Sequence, residues 1–127
     1  MAKVKILLID DEPDFAKLMS LKITGWGYAV VWARDGRDAV ETFKSQRPDI
    51  VILDSALPDM DGAAVLKKLR KIDKKIPAVM FTAHPDIKVQ KDIEKLGVSA
   101  FVPKLSFAQD EEEALKSAIG IILKNKK

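Results

Sequence analysis

The chain of 127 residues has no cysteine and only one histidine, His84. Without thiols there is no disulfide, no zinc–thiolate site and no cysteine nucleophile. A lone histidine cannot by itself build a histidine-based metal site or a Ser-His-Asp triad. Any metal must then be a hard cation held by oxygen. Long apolar runs are missing too. Nothing approaches the ~20 residues needed to span a bilayer. The run from Ile6 to Ile9 is too short for the core of a secretory signal. The expectation is a cytoplasmic chain with no membrane contact. Low-complexity tracts and internal repeats are also absent. Charge of one sign is only mildly in excess, at +3. The lysines are spread along helical segments rather than grouped with aromatics, and the tail Lys124-Asn125-Lys126-Lys127 is short. This pattern reads as a solvated surface, not as direct nucleic-acid binding.

What is present is one domain's worth of residues with an ordinary globular balance of apolar and charged side chains. Val4–Ile9 (apart from Lys5), Tyr28–Ala33, Ile50–Leu53, Ala78–Phe81 and Ala100–Val102 are apolar runs. They do not alternate with polar residues, which predicts strands buried on both faces. Helical spacing lies between them, over Asp14–Ile23, Asp38–Phe43, Ala63–Ile72, Ile87–Leu96 and Glu111–Leu123. In the first of these, Phe15, Leu18, Met19 and Leu21 form the expected apolar stripe. Gly25 and Gly27 end that helix, and Gly97 ends the fourth.

The order βαβαβαβαβα with short connections predicts a parallel sheet covered on both faces. Five strands suit an α/β, flavodoxin-like, doubly wound (βα)5 sheet of order 2-1-3-4-5. Strands 1 and 3 are then neighbours at the topological switch point, and ligands bind outside the carboxyl ends of the strands there.

That placement gathers chemistry. Asp10 and Asp11 end the first strand and Asp54 ends the third, so three carboxylates converge in one shallow cleft. Thr82 ends the fourth strand and Lys104 follows the fifth. At an effective dielectric of ~20, each close carboxylate pair costs on the order of 2–4 kcal/mol, which a cation relieves. A few partly solvated oxygen ligands suit Mg2+, which favours phosphate as a co-ligand. An aspartate beside such an ion can act as a nucleophile on a phosphoryl group. Lys104 and the Thr82 hydroxyl would then meet the remaining phosphoryl oxygens. The competing explanation is helix capping: Asp11 or Asp14 could cap the first helix, and Asp61 the third.

IDDEP after the first strand, LD followed by LPDMDG at the third, FTA at the fourth and FVPK at the fifth resemble the receiver domain of two-component response regulators. The resemblance runs from Val4 to about Leu123. It implies that Asp54 is the phosphoacceptor, charged by a histidine kinase or histidine phosphotransfer protein in phosphorelay signal transduction. It implies Mg2+ (or Mn2+) held by Asp10, Asp11, Asp54 and the backbone carbonyl of Ala56. It also implies Thr82 and Phe101 as switch residues and Lys104 as the phosphate's partner. Residues 1–127 are then a single receiver domain with no output domain in this chain. The chain would be a phosphoacceptor switch and not an enzyme with turnover. It would signal to a downstream effector protein or domain, with the helix 4–strand 5–helix 5 face available to a second copy. Ile121 and Leu123 flank the apolar stripe there.

Leu105 stands where the family usually has proline, so the Lys104–Leu105 bond is expected to be trans, a non-proline cis bond costing ~2.5–4 kcal/mol. Ser55 and Ala56 are small, and His84 reads as an exposed loop residue. Asp59 and Asp61 are expected to shape the turn into the third helix, with Gly62 easing it. A calcium loop is rejected: with Gly62 at position 6, Leu57 and Lys68 fall at positions 1 and 12. A haloacid-dehalogenase-like phosphatase would need Asp-x-Asp where Asp11-Glu12-Pro13 stands. A flavin binder would not place DDEPD against a phosphate. The remaining alternative is a phosphate-independent receiver relative that serves only as an interaction module.

Overall fold

The structure is a computed structural model that describes residues 3–54, 57–82, 87–103 and 109–125. Ten elements alternate along it. The strands are β1 (Lys5–Ile9), β2 (Ala29–Ala33), β3 (Ile50–Leu53), β4 (Ala78–Thr82) and β5 (Ala100–Pro103). The helices are α1 (Pro13–Gly25), α2 (Gly36–Gln46), α3 (Gly62–Ile72), α4 (Ile87–Lys95) and α5 (Gln109–Asn125). The strands are parallel and lie in the order β2-β1-β3-β4-β5. This is the expected doubly wound sheet.

The unbroken apolar runs follow from burial on both sides. Leu7 and Ile9 of β1, with Val51 and Leu53 of β3, face α2, α3 and α4 through Ala39, Phe43, Val65, Leu66, Leu69 and Ile93. Ile6 and Leu8, with Ile50 and Ile52, face α1 and α5 through Ala16, Met19, Ile23, Leu115 and Ile119. Alternate residues of a strand point to opposite faces, so a strand covered on both sides has no polar position. β2 is an edge strand and is only partly buried.

The first helix corrects the sequence reading. Its buried stripe is Ala16, Met19 and Ile23. Leu18 and Leu21 are 37% and 65% exposed. At 100° per residue the first three share one face, and the two leucines fall opposite. Neither Asp11 nor Asp14 caps this helix. Glu12 is the N-cap without a side-chain cap bond, and Pro13 fills the first turn. Gly27, at φ +103°, turns the chain out of the helix, a conformation glycine adopts without strain.

Asp61 does cap α3, accepting from the Ala64 N–H at 2.8 Å. α2 starts two residues earlier than its apolar spacing implied, because Asp35 caps it and accepts from the Asp38 N–H at 2.7 Å. Lys22 of α1 pairs with Glu112 of α5. Arg70 of α3 donates to the carbonyls of Leu96 and Gly97 at the end of α4, at 2.6 and 3.2 Å.

Candidate metal centre at the carboxyl edge of the sheet

Asp10 and Asp54 are set in place by their own backbones. The Asp10 N–H donates to the Ala33 carbonyl at 3.1 Å, which extends the β1–β2 ladder by one residue. The Asp54 N–H donates to the Ile9 carbonyl at 3.0 Å, which extends the β1–β3 ladder in the same way. Both side chains therefore leave the sheet at its carboxyl edge, between neighbouring strands. They are the two buried polar residues of the described chain, at 2% and 7% exposure.

Two further bonds fix the loop after β1. The Glu12 N–H donates to Asp10 Oδ1 at 2.9 Å, an Asx turn that holds the carboxylate close to its own backbone. Trp32 on β2 donates from Nε1 to the Asp10 carbonyl at 2.8 Å. The Arg34 guanidinium sits 5.4 Å from the centre of the Trp32 ring.

Asp10, Asp11, Glu12 and Asp54 each offer a carboxylate oxygen, and all four oxygens lie within 4.8 Å of one another. Asp11 and Glu12 are exposed, so one side of the cluster is open to solvent. Octahedral coordination at ~2.0–2.1 Å separates opposite ligands by about 4 Å. The donor set and spacing therefore fit a small hard cation with water in its open positions. The sequence reading anticipated Asp10, Asp11 and Asp54 but not Glu12. Its adjacency to two aspartates is the one signal in the sequence that points to it.

The other expected site residues are less fully placed. Thr82 is the last residue of β4, opposite Pro103 of β5 in register. Phe101 of β5 is half-buried against the cluster formed with α2, α3 and α4. Ala56, Ser55, His84, Lys104 and Leu105 lie outside the described residues, and so does the Lys104–Leu105 bond.

One residue does more than the sequence reading gave it. Asp59 does not merely shape the turn into α3. Its Oδ1 accepts from the Gly36 N–H at 2.8 Å and its Oδ2 from the Arg37 N–H at 2.9 Å. These donors open α2, 22 or more residues away in sequence. The Gly36 N–H is the main cause that holds the exposed Asp59 carboxyl below its usual value of 3.8; partial desolvation opposes it, and the Arg37 N–H adds to the lowering. A depressed folded value means that the stabilisation is complete above the unfolded value and is lost as pH falls through the folded one. The stability gap between wild type and Asp59→Asn, read by urea unfolding, is therefore expected to be smaller at about pH 3 than at about pH 6. An equal gap at both would exclude a role for the carboxylate charge.

Met60 follows and packs where a side chain on Gly36 would go. A Cβ at Gly36 would collide with Met60 Cγ and lie 2.6 Å from its Sδ and 3.0 Å from its Cε. Gly36→Ala is expected to destabilise by roughly 1–3 kcal/mol through overpacking, although alanine is the better helix former. Adding Met60→Ala should recover part of that loss in urea unfolding. A Gly36→Ala protein as stable as wild type would refute the contact.

The chain belongs to the response regulator receiver domain family, whose pattern matches residues 6–119. It is 37% identical over 117 residues to the "Probable transcriptional regulator ycf27" of Guillardia theta, covering 92% of this chain and 45% of that protein. The chain thus spans about half the length of the curated relatives it matches. Among solved structures it resembles a LuxR-family two-component response regulator from Aurantimonas, with TM-score 0.85, 29% identity, and coverage of 99% of this chain and 89% of that one. It also resembles the response regulator TrrA of Thermotoga maritima, with TM-score 0.76, 29% identity, and coverage of 93% and 99%. No helix among the described residues is long and apolar enough to cross a membrane.

Proposed function

We propose that the chain is a phosphorylation switch in which Asp54 takes a phosphoryl group from a histidine kinase or histidine phosphotransfer protein, dependent on Mg2+ or Mn2+. The observation that carries this reading is the convergence of Asp10, Asp11, Glu12 and Asp54 at the joint of β1 and β3. Asp10, Asp11 and Asp54 would hold the cation, with the Ala56 carbonyl as the backbone ligand that the family pattern implies. The bound cation offsets charge on the transferring phosphoryl oxygens. The solved Thermotoga maritima relative is a complex with Mg2+–BeF, which supports the same assignment here.

In the transfer an Asp54 carboxylate oxygen attacks the phosphorus. The new O–P bond forms as the P–N bond to the donor imidazole breaks, and the electron pair leaves with the imidazole nitrogen. Lys104 and the Thr82 hydroxyl are assigned to the phosphoryl oxygens from the sequence pattern. The chain keeps its product as an acyl phosphate until water removes it, so it is a switch and not a turnover enzyme. The added charge biases the face built from β4, α4, β5 and α5, with Phe101 as its aromatic reporter, toward an effector or a second copy. A cytoplasmic site of action belongs to the same reading.

Incubation with acetyl phosphate and Mg2+ tests it by intact mass. One added phosphoryl group, which does not form when the metal is chelated beforehand, is the expected result. A chain that stays unmodified at every Mg2+ concentration contradicts the proposal. Continuous release of phosphate from varied esters would point to a phosphatase instead.

A further inference from the structure

The connection that carries the phosphoacceptor is fixed at both ends, and one of those ends is not in the sheet. At the near end Asp54 is held by its backbone bond to Ile9. Five residues further on, both Asp59 carboxylate oxygens are engaged by the first N–H groups of α2. α2 is itself anchored, because Ala39 and Phe43 are buried against the sheet. Met60 lies over Gly36, and Leu57 and Met60 both pack on the same core cluster. Beyond them Asp61 caps α3. Only four residues separate Asp54 from Asp59 in the sequence, so these two held positions lie close along the chain.

Resting on the phosphoacceptor reading, we propose that Asp59 is a positioning residue for the acidic site. By clamping the loop after Asp54 to the start of α2, it sets the cation affinity of the site and the rate at which Asp54 is phosphorylated. The geometry argues against Asp59 being only a cap of α2. That helix already has its own cap in Asp35, which satisfies the Asp38 N–H. The clamp draws its acceptor from a different connection, and that connection leads back to Asp54 within five residues. The Gly36–Met60 approach seats the same loop on the same turn of helix, a second contact that capping alone would not need.

Asp35 supplies the control. Asp35→Ala removes a bond from the same helix start without touching the loop, whereas Asp59→Ala removes the loop's tether. Mg2+ affinity is read by titration calorimetry, the rate of labelling by acetyl phosphate, and stability by urea unfolding. Asp59→Ala is expected to weaken Mg2+ binding about tenfold, the scale typical of losing an outer-shell support, and to slow labelling in step. Asp59→Asn, which keeps one acceptor, should fall between wild type and alanine and remains informative if the alanine variant folds poorly. Asp35→Ala should lower stability while leaving Mg2+ affinity at the wild-type value. If Asp59→Ala or Asp59→Asn binds Mg2+ as wild type does, or if Asp35→Ala weakens it equally, the positioning role is overturned and Asp59 is only a cap. A wild-type chain that binds no Mg2+ and takes no label overturns the phosphoacceptor reading itself, and this role with it.

Discussion

Asp54→Asn is expected to lose all phosphorylation by acetyl phosphate and, without metal, to be more stable than wild type. Both effects come from the same charge. The Asp54 side chain is 7% exposed and shares a 4.8 Å cluster with Asp10, Asp11 and Glu12. Two charges at that spacing repel by about 3 kcal/mol at an effective dielectric of ~20. Asparagine has nearly the same shape but no charge, so it relieves repulsion without opening a cavity. Part of the gain is offset because the amide must satisfy two donors where the carboxylate had only acceptors. A net stabilisation of about 1–2 kcal/mol in metal-free urea unfolding is the expected balance. Millimolar Mg2+ should narrow or reverse the difference, since a cation that binds only the folded state stabilises it by mass action. A metal-free Asp54→Asn protein less stable than wild type would show that the carboxylates do not strain one another.

Leu7→Ala should have the largest effect on folding alone. Leu7 is fully buried in β1, in register with Val31 of β2 and Val51 of β3. Its neighbours sit on a rigid sheet under α2 and α3, so the space left by three missing carbons would collapse little. A cost of about 3 kcal/mol is expected, a large share of the ~5–15 kcal/mol that holds a domain of this kind. Leu21→Ala is the matched comparison, because Leu21 is 65% exposed on α1. It should stay within about 0.5 kcal/mol of wild type. Equal urea midpoints for the two variants would contradict the core assignment.

The same pair of leucines shows what the sequence could and could not convey. β1 and β3 were legible because Ile6–Ile9 and Ile50–Leu53 are apolar at every position, the pattern of a strand covered on both faces. Their acids followed, since a carboxylate directly after such a strand has to emerge at the sheet's edge. The face of α1 was misread because Ala16, which is fully buried, carries little hydrophobic signal, while exposed Leu18 and Leu21 carry much. Helix caps were legible only where the capping residue is local, as Asp61 is to α3. The bond from Asp59 to α2 joins residues 22 and 23 apart, and no period or motif within either segment records it. Glu12 joins the acidic cluster through the turn that Asp10 makes with its N–H, which is a property of backbone geometry rather than of residue type.

The measurement that tests the central claim most directly is the position of the acyl phosphate. The wild-type chain is incubated with acetyl phosphate and Mg2+, reduced with borohydride, which converts an aspartyl phosphate to homoserine, and mapped by peptide sequencing in a mass spectrometer. Homoserine at position 54 alone is the predicted result. Modification at Asp10, Asp11 or Asp59 in place of Asp54, or none at any residue, would contradict it.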